Sequence, residues 1–120
     1  MYMIARMKAD IFRCLAHPTR IRILELLRET TASEAAEKCG DERMGELCVC
    51  KITPALGLEQ SNVSQHLAIL KERGLIRGRR EGQNVYYSVA NPKVFLLLDV
   101  AEELLAENLE ESQQMLKMLR

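Results

Sequence analysis

Ile4, Met7, Ile11 and Leu15 recur at intervals of three and four, so residues 3–16 predict an amphipathic helix ending at His17-Pro18. Pro18 suits the first turn of a second helix, in which Ile21, Ile23, Leu24, Leu26 and Leu27 form a broad apolar face that runs to Glu29. Residues 30–45 are small and polar, lack an apolar stripe, and predict a long, mobile connection. Residues 46–52 predict a short helix stopped by Thr53-Pro54. A further helix at 60–73 carries Val63, Leu67 and Leu70 on one face and meets Gly74 as its left-handed C′ residue. Two strand-like runs, 75–80 and 84–89, flank Glu81-Gly82-Gln83 and predict a hairpin, the only strand signal in the chain. Asn91 and Pro92 supply an N-cap and a first-turn proline for a long final helix over 92–119, where Val94, Leu97, Leu98, Ala101, Leu104, Leu105, Leu109, Met115 and Leu116 keep a helical period.

That last helix is too long and too apolar for so small a chain to bury alone, and a second copy is the expected cover. The expectation is a homodimer built on helices 3–16 and 92–119; the alternative folds the last helix wholly back onto its own core. With 120 residues there is room for a single domain, 1–120, and not for a two-domain enzyme. A composition of 48% hydrophobic and 28% charged residues is that of a chain that folds. No apolar run approaches the roughly 18 residues of a membrane span, and the N-terminus has charges where a signal peptide has its apolar region, which predicts a cytoplasmic protein.

Seventeen basic and seventeen acidic residues cancel, but their distribution is uneven. Residues 60–84 hold Lys71, Arg73, Arg77, Arg79 and Arg80 against Glu72 and Glu81, a surplus of +3, whereas residues 85–120 sum to −3. A basic segment beside an acidic one fits a chain with one face toward phosphate and another toward a partner. A solvated charge run has the same pattern. The order of elements favours the first: short helix, turn, second helix over 46–73, then a basic hairpin over 75–90, is the order of a winged helix-turn-helix, a mainly α fold with a small β-hairpin. With Val63, Leu67 and Leu70 turned inward, Gln60, Ser61, Asn62, Ser64 and Gln65 are left outward on the N-terminal half of the helix, the part a recognition helix presents to base edges of double-stranded DNA. Arg77, Arg79, Arg80, Gln83 and Asn84 on the hairpin suit phosphates or a narrow minor groove. His66 either touches phosphate or makes a hydrogen bond between helices, and at least one of Tyr86 and Tyr87 belongs to the core. Taken singly, each polar residue near a helix start is more often a solvated cap.

The run Leu58-Glu59-Gln60-Ser61-Asn62-Val63-Ser64-Gln65-His66-Leu67-Ala68-Ile69-Leu70-Lys71-Glu72-Arg73-Gly74-Leu75-Ile76 resembles the recognition helix of the ArsR/SmtB family of metal-responsive repressors. So do Leu15-Ala16-His17-Pro18-Thr19-Arg20 ahead of an Ile/Leu-rich helix, and Tyr86-Tyr87 in the second wing strand; together these motifs span roughly residues 10–100. The resemblance implies a dimeric winged-helix repressor, not an enzyme, whose operator affinity falls when an effector binds. Glu46-Leu47-Cys48-Val49-Cys50 is similar to the family's metal box, which supplies thiolates to arsenite, antimonite or soft divalent ions. The similarity to the arsenic-sensing type implies As(III) or Sb(III) as effector, with Cd(II), Pb(II) or Zn(II) as alternatives. It ends at Lys51 and Thr53, where that type often has aspartate and, shortly after, a third cysteine.

Trivalent arsenic takes three thiolates. Cys39 lies only nine residues before Cys48, a short closure for a flexible loop, while Cys14 sits on the apolar face of the first helix, where cysteines are commonly inert; Cys39 is preferred and Cys14 is the alternative. If 46–52 is helical, residues i and i+2 diverge, and one ion can reach both sulfurs only by bending that helix, which would displace the recognition helix after it. The last helix offers Asp99, Glu102 and Glu103 without histidine, which argues against a zinc or nickel site there. A thiol redox or persulfide switch on the same fold is the second reading. A small thiol oxidoreductase would need Cys-x-x-Cys at a βαβ position, and a DNA-coating protein a more basic chain.

Overall fold

The computed structural model describes residues 2–32 and 45–119. Five helices and three short strands are found among them. α1 (Tyr2–Leu15) and α2 (Pro18–Ala32) meet at a corner that the sequence sets twice over. Pro18 brings the helical φ at no cost in hydrogen bonds, because a first-turn N–H has no intrahelical partner. His17 then caps α2 with its ring: Nδ1 accepts from the Thr19 amide at 3.1 Å. α2 runs on to Ala32, a turn beyond the end of its apolar face.

The 46–52 segment departs from expectation. Leu47–Cys48 forms a strand, β1, and the helix α3 starts only at Val49, running to Leu56 (Val49–Leu56). Cys48 is the extended N-cap, with φ −71° and ψ 145°. Pro54 does not end α3: it forfeits only the hydrogen bond to the carbonyl of Cys50, an exposed residue where water can take that place, and Gly57 closes the helix instead, its N–H donating to the carbonyl oxygens of Thr53 and Pro54. α4 (Gln60–Glu72) follows. Its end is a Schellman motif: Leu75 N–H donates to Leu70 O at 3.0 Å and Gly74 N–H to Lys71 O at 3.0 Å. The reversal needs φ of +76° at Gly74, which glycine adopts without a Cβ penalty.

β2 (Ile76–Glu81) and β3 (Asn84–Val89) pair antiparallel with Glu81 opposite Asn84, so the loop is only Gly82-Gln83. Gly82 has φ +63° and Gln83 does not share its positive φ, the arrangement of a type II′ hairpin turn. β1 adds to the other edge of β3, giving the order β1-β3-β2, with Leu47 opposite Tyr87 and Cys48 opposite Tyr86. The hairpin is therefore tied to the start of α3. Gly78 lies opposite Tyr87, whose ring would stand 3.2 Å from an added Cβ.

α5 (Lys93–Leu119) is capped by Asn91, whose Oδ1 accepts from the Lys93 amide at 3.0 Å. The core lies where α2, α3, α4 and the sheet meet: Ile23, Leu24, Leu27, Ile52, Val63, Leu67 and Leu70 are fully buried, with Cys14, Leu15, Leu75, Ile76 and Val94 at its edge. α1 and α5 contribute little to it, and most of their apolar side chains lie in the open. No helix among the described residues is long and apolar enough to cross a membrane.

Candidate nucleic-acid interface and thiolate pair

With Val63, Leu67 and Leu70 in the core, the opposite side of α4 is left outward. Gln60, Ser61, Asn62, Ser64 and Gln65 are all exposed there, over the first two turns. Glu59 is the N-cap without a side-chain cap bond. On the hairpin Arg77, Arg80, Gln83 and Asn84 are exposed. Neutral amides and hydroxyls on the helix and cations on the hairpin make one surface suited to base edges and one suited to phosphate.

Two of the residues singled out from the sequence are held elsewhere. Arg79 directs Nε at both carboxylate oxygens of Glu46, 3.1 and 3.0 Å away, and a terminal nitrogen at Glu81 Oε2, 2.8 Å. Its guanidinium also lies 5.0 Å from the centre of the Tyr86 ring. The alternation along β3 divides the tyrosines: Tyr87 packs against the core and Tyr86 carries Arg79. His66 is half-buried and accepts at Nδ1 from Arg20 Nε at 3.2 Å, with its ring 4.4 Å from that of His17. Arg20 also donates to the carbonyl of Cys14 at 3.1 Å. Burial first, then the proximity of His17 and Arg20, holds His66 below the usual histidine range. A protonated His66 would lose its acceptor lone pair toward Arg20, so the neutral ring belongs to the folded structure. His66 thus fastens α4 to α2.

The cysteines separate into two environments. Cys14 is buried between α1 and α4, with its sulfur 3.9 Å from the carbonyl oxygen of Ile69. Burial pushes its thiol up, partly offset by Arg20 and Arg73. Cys48, 4% exposed, and Cys50, exposed, face each other with the Cys50 thiol directed at Cys48 Sγ. Cys48 Sγ also accepts the Cys50 amide at 3.3 Å. That bond to Cys48 is the main reason the Cys50 thiol lies above its ordinary value.

The sulfurs converge because Cys48 is not helical. An N-cap side chain turns back over the first helical turn, whereas i and i+2 within a helix diverge. The expected bending of a 46–52 helix is thereby corrected: the sulfurs share a point without any unwinding. Two adjacent sulfurs at a partly open edge suit a soft, thiophilic ion. Cys14 is not brought to them, and among the described residues no three ligand-type side chains converge. Cys39 lies outside the described residues.

Glu46, the partner that holds Arg79, is not among the residues that the sequence singles out with the hairpin. Its only signal was an acid just ahead of the cysteine pair in a chain whose hairpin is basic.

Residues 15–79 match the family HTH_20, a helix-turn-helix domain. Rv0081 of Mycobacterium tuberculosis, an uncharacterized HTH-type transcriptional regulator, is 41% identical over 115 residues, which is 96% of this chain and 89% of that one. Its crystal structure superposes with a TM-score of 0.72, covering 90% of this chain and 94% of that one at 38% identity. The solution structure of Mb0332 from Mycobacterium bovis, a homodimeric winged helix-turn-helix DNA-binding domain described as a possible ArsR-family regulator, matches 92% of this chain and 88% of that one at 30% identity with a TM-score of 0.69. The arsenic resistance transcriptional regulator ArsR1 of Pseudomonas putida is 43% identical over 84 residues, 70% of this chain and 54% of that one. The recognition-helix motif, the wing behind it and these similarities give one conclusion: the chain belongs to the helix-turn-helix domain family and is a transcriptional regulator of the ArsR/SmtB type.

Proposed function

We propose that this regulator is a homodimeric repressor that leaves its operator when a soft metal or metalloid ion, arsenite foremost, is taken up by the thiolates of Cys48 and Cys50. The observation that carries the reading is the convergence of these two sulfurs where β1, a strand hydrogen-bonded to the wing, meets the first turn of α3. The likeness to an arsenic resistance regulator supports arsenite over antimonite, cadmium, lead or zinc. Cys39 is the third thiolate, since Cys14 is enclosed in the core.

On DNA, α4 lies in the major groove with Gln60, Asn62 and Gln65 at base edges and Ser61 and Ser64 shared between base and phosphate, while Arg77, Arg80, Gln83 and Asn84 hold the backbone. Two copies joined through α1 and α5 bring two such heads to a two-fold operator; the exposed Ile4, Met7, Phe12, Val100, Leu104, Leu105 and Leu109 support that pairing, as does the homodimeric relative. A divalent ion would displace the protons of the thiols into solution, so its affinity would rise with pH, whereas neutral arsenite gives up each hydroxide as water with a thiol proton and releases none.

The test uses duplexes that the full-length protein selects from a random pool. Arsenite, added to reduced protein, should release such a duplex. Cys48→Ser, Cys50→Ser and Cys39→Ser should bind it normally and lose the response, while Cys14→Ser keeps it. If release requires an oxidant and arsenite does nothing, the metalloid reading is refuted. The contact between two free thiols supports that second reading, in which a disulfide or polysulfide between Cys48 and Cys50 is the signal. An Arg77→Ala or Arg80→Ala change should weaken all duplexes alike and lower the salt slope by about one, whereas Asn62→Ala should relax preference at one base position by about 1–3 kcal/mol.

A further inference from the structure

The sheet places three residues in one row. Cys48 on β1 is opposite Tyr86 on β3, and Tyr86 is in turn opposite Arg79 on β2. Directly opposed residues of antiparallel strands share a face, and the Arg79 guanidinium does lie over the Tyr86 ring. The row closes on itself, because Arg79 reaches back to Glu46, two residues before Cys48, whose side chain is only 14% exposed. An arginine whose Nε–H is shared by the two oxygens of a largely buried carboxylate, and whose terminal nitrogen is held by Glu81, has a more fixed geometry than a lone surface cation.

We propose that the Glu46–Arg79 pair is the coupling latch between the thiolate pair and the wing, with Arg79 a positioning residue rather than a phosphate contact. This rests on the function proposed above. An ion drawn to Cys48 and Cys50 pulls on the short β1 strand; the β1–β3 hydrogen bonds and the latch pass that displacement to both strands of the hairpin, carrying Arg77, Arg80 and Gln83 away from the backbone they hold. No break in α3 is needed. The route runs through the wing first and the recognition helix second.

The experiment compares full-length wild type with Glu46→Gln and Arg79→Lys. Hydrogen exchange of the wing amides in 76–81 and 84–89, without DNA or arsenite, is read first. Both variants should exchange about tenfold faster there, with α4 amides unchanged. Arsenite uptake, followed by the loss of thiol reactivity, should keep wild-type stoichiometry. The ratio of duplex Kd with and without arsenite should fall about tenfold from the wild-type ratio, since that ratio is the coupling itself. Arg79→Lys preserves the charge for any phosphate contact while losing the fork, so its uncoupling separates positioning from DNA binding. Wild-type exchange and a wild-type Kd ratio in both variants would overturn the latch. So would Glu46→Gln tightening DNA binding and steepening the salt slope by about one, the signature of an Arg79 released onto phosphate. Should wild type take up arsenite and keep its duplex, the proposed effector fails, and the exchange comparison still decides the latch.

Discussion

The half of the molecule built from α2, α3, α4 and the sheet is closed on itself; the half built from α1 and α5 is not. In the first, Ile23, Leu24, Leu27, Ile52, Val63, Leu67 and Leu70 have no exposed surface at all. In the second, Ile4, Met7, Phe12, Val100, Leu104, Leu105 and Leu109 are each more than half exposed, although they repeat with the same helical spacing. Periodic apolar residues left in water cost free energy wherever they sit, so the same pattern has two meanings. Inside the reading head it closes a core within one chain. Along the flank it stays open, and the proposed pairing gives it a second chain as cover.

The largest effect that tests this contrast is in the closed half. Leu67→Ala opens a cavity between α2 and α4 and should cost about 2–5 kcal/mol, a large share of the roughly 5–15 kcal/mol that holds a domain of this size. Urea denaturation measures it. Next comes the open half. Leu104→Glu combined with Leu109→Glu should leave the urea midpoint of the isolated chain nearly intact, because neither side chain is buried within it, yet halve the mass in sedimentation and abolish tight operator binding. Unchanged mass would mean that α5 is not the dimer face, and the two halves would then not differ in the way argued here.

The closed half was the more legible in the sequence. Val63, Leu67 and Leu70 at helical spacing, Gly74 behind them and Gly82 between two strand-like runs each carry a local signal strong enough to place an element. β1 has none: two residues cannot display a period, and Leu47 and Cys48 become a strand only because Tyr86 and Tyr87 are there to pair with. Pro54 misled for a related reason, since its cost depends on whether the carbonyl it abandons can reach water. The unseen β1, which makes Cys48 an extended N-cap, is what hid the convergence of Cys48 and Cys50. Glu46 and Arg79, 33 residues apart, were likewise invisible until the sheet brought them together.

A smaller effect probes the joint inside the closed half. His66 on α4 is held below its usual range chiefly by burial, with the charge of Arg20 on α2 and the ring of His17 at the α1–α2 corner adding to it. A histidine whose folded pKa is depressed contributes stability that is complete above its unfolded value of about 6.5 and is lost as pH falls through the lower folded value. His66→Asn keeps an oxygen acceptor for Arg20 Nε and removes the titration. Between pH 7.5 and 5.5 the wild-type melting temperature should therefore fall further than that of the variant, and equal slopes would mean that the Arg20 contact does not depend on a neutral ring.

The smallest effect lies where the two halves touch. Arg28 on α2 makes a two-pronged contact with Asp99 on α5, 2.9 Å for one prong, and its guanidinium also lies 5.2 Å from the centre of the Phe95 ring. The hydrogen bonds from Arg28 hold the Asp99 carboxyl below the usual carboxylate range, so whatever the pair contributes is present above that range and lost as pH falls through the lowered value. Both groups stand in solvent, where screening leaves such pairs little weight. Asp99→Asn should therefore shift the melting temperature barely at low salt and not at all at high salt. Arg28→Ala should do more, because it also strips the stem and the cation from the face of Phe95, a contact that salt weakens less. If the two variants behave alike at every salt concentration, the ion pair alone joins the flank to the reading head; if they differ as expected, the joint is mainly apolar contact, and α5 is free to adjust its angle to a second chain without breaking the closed core beneath it.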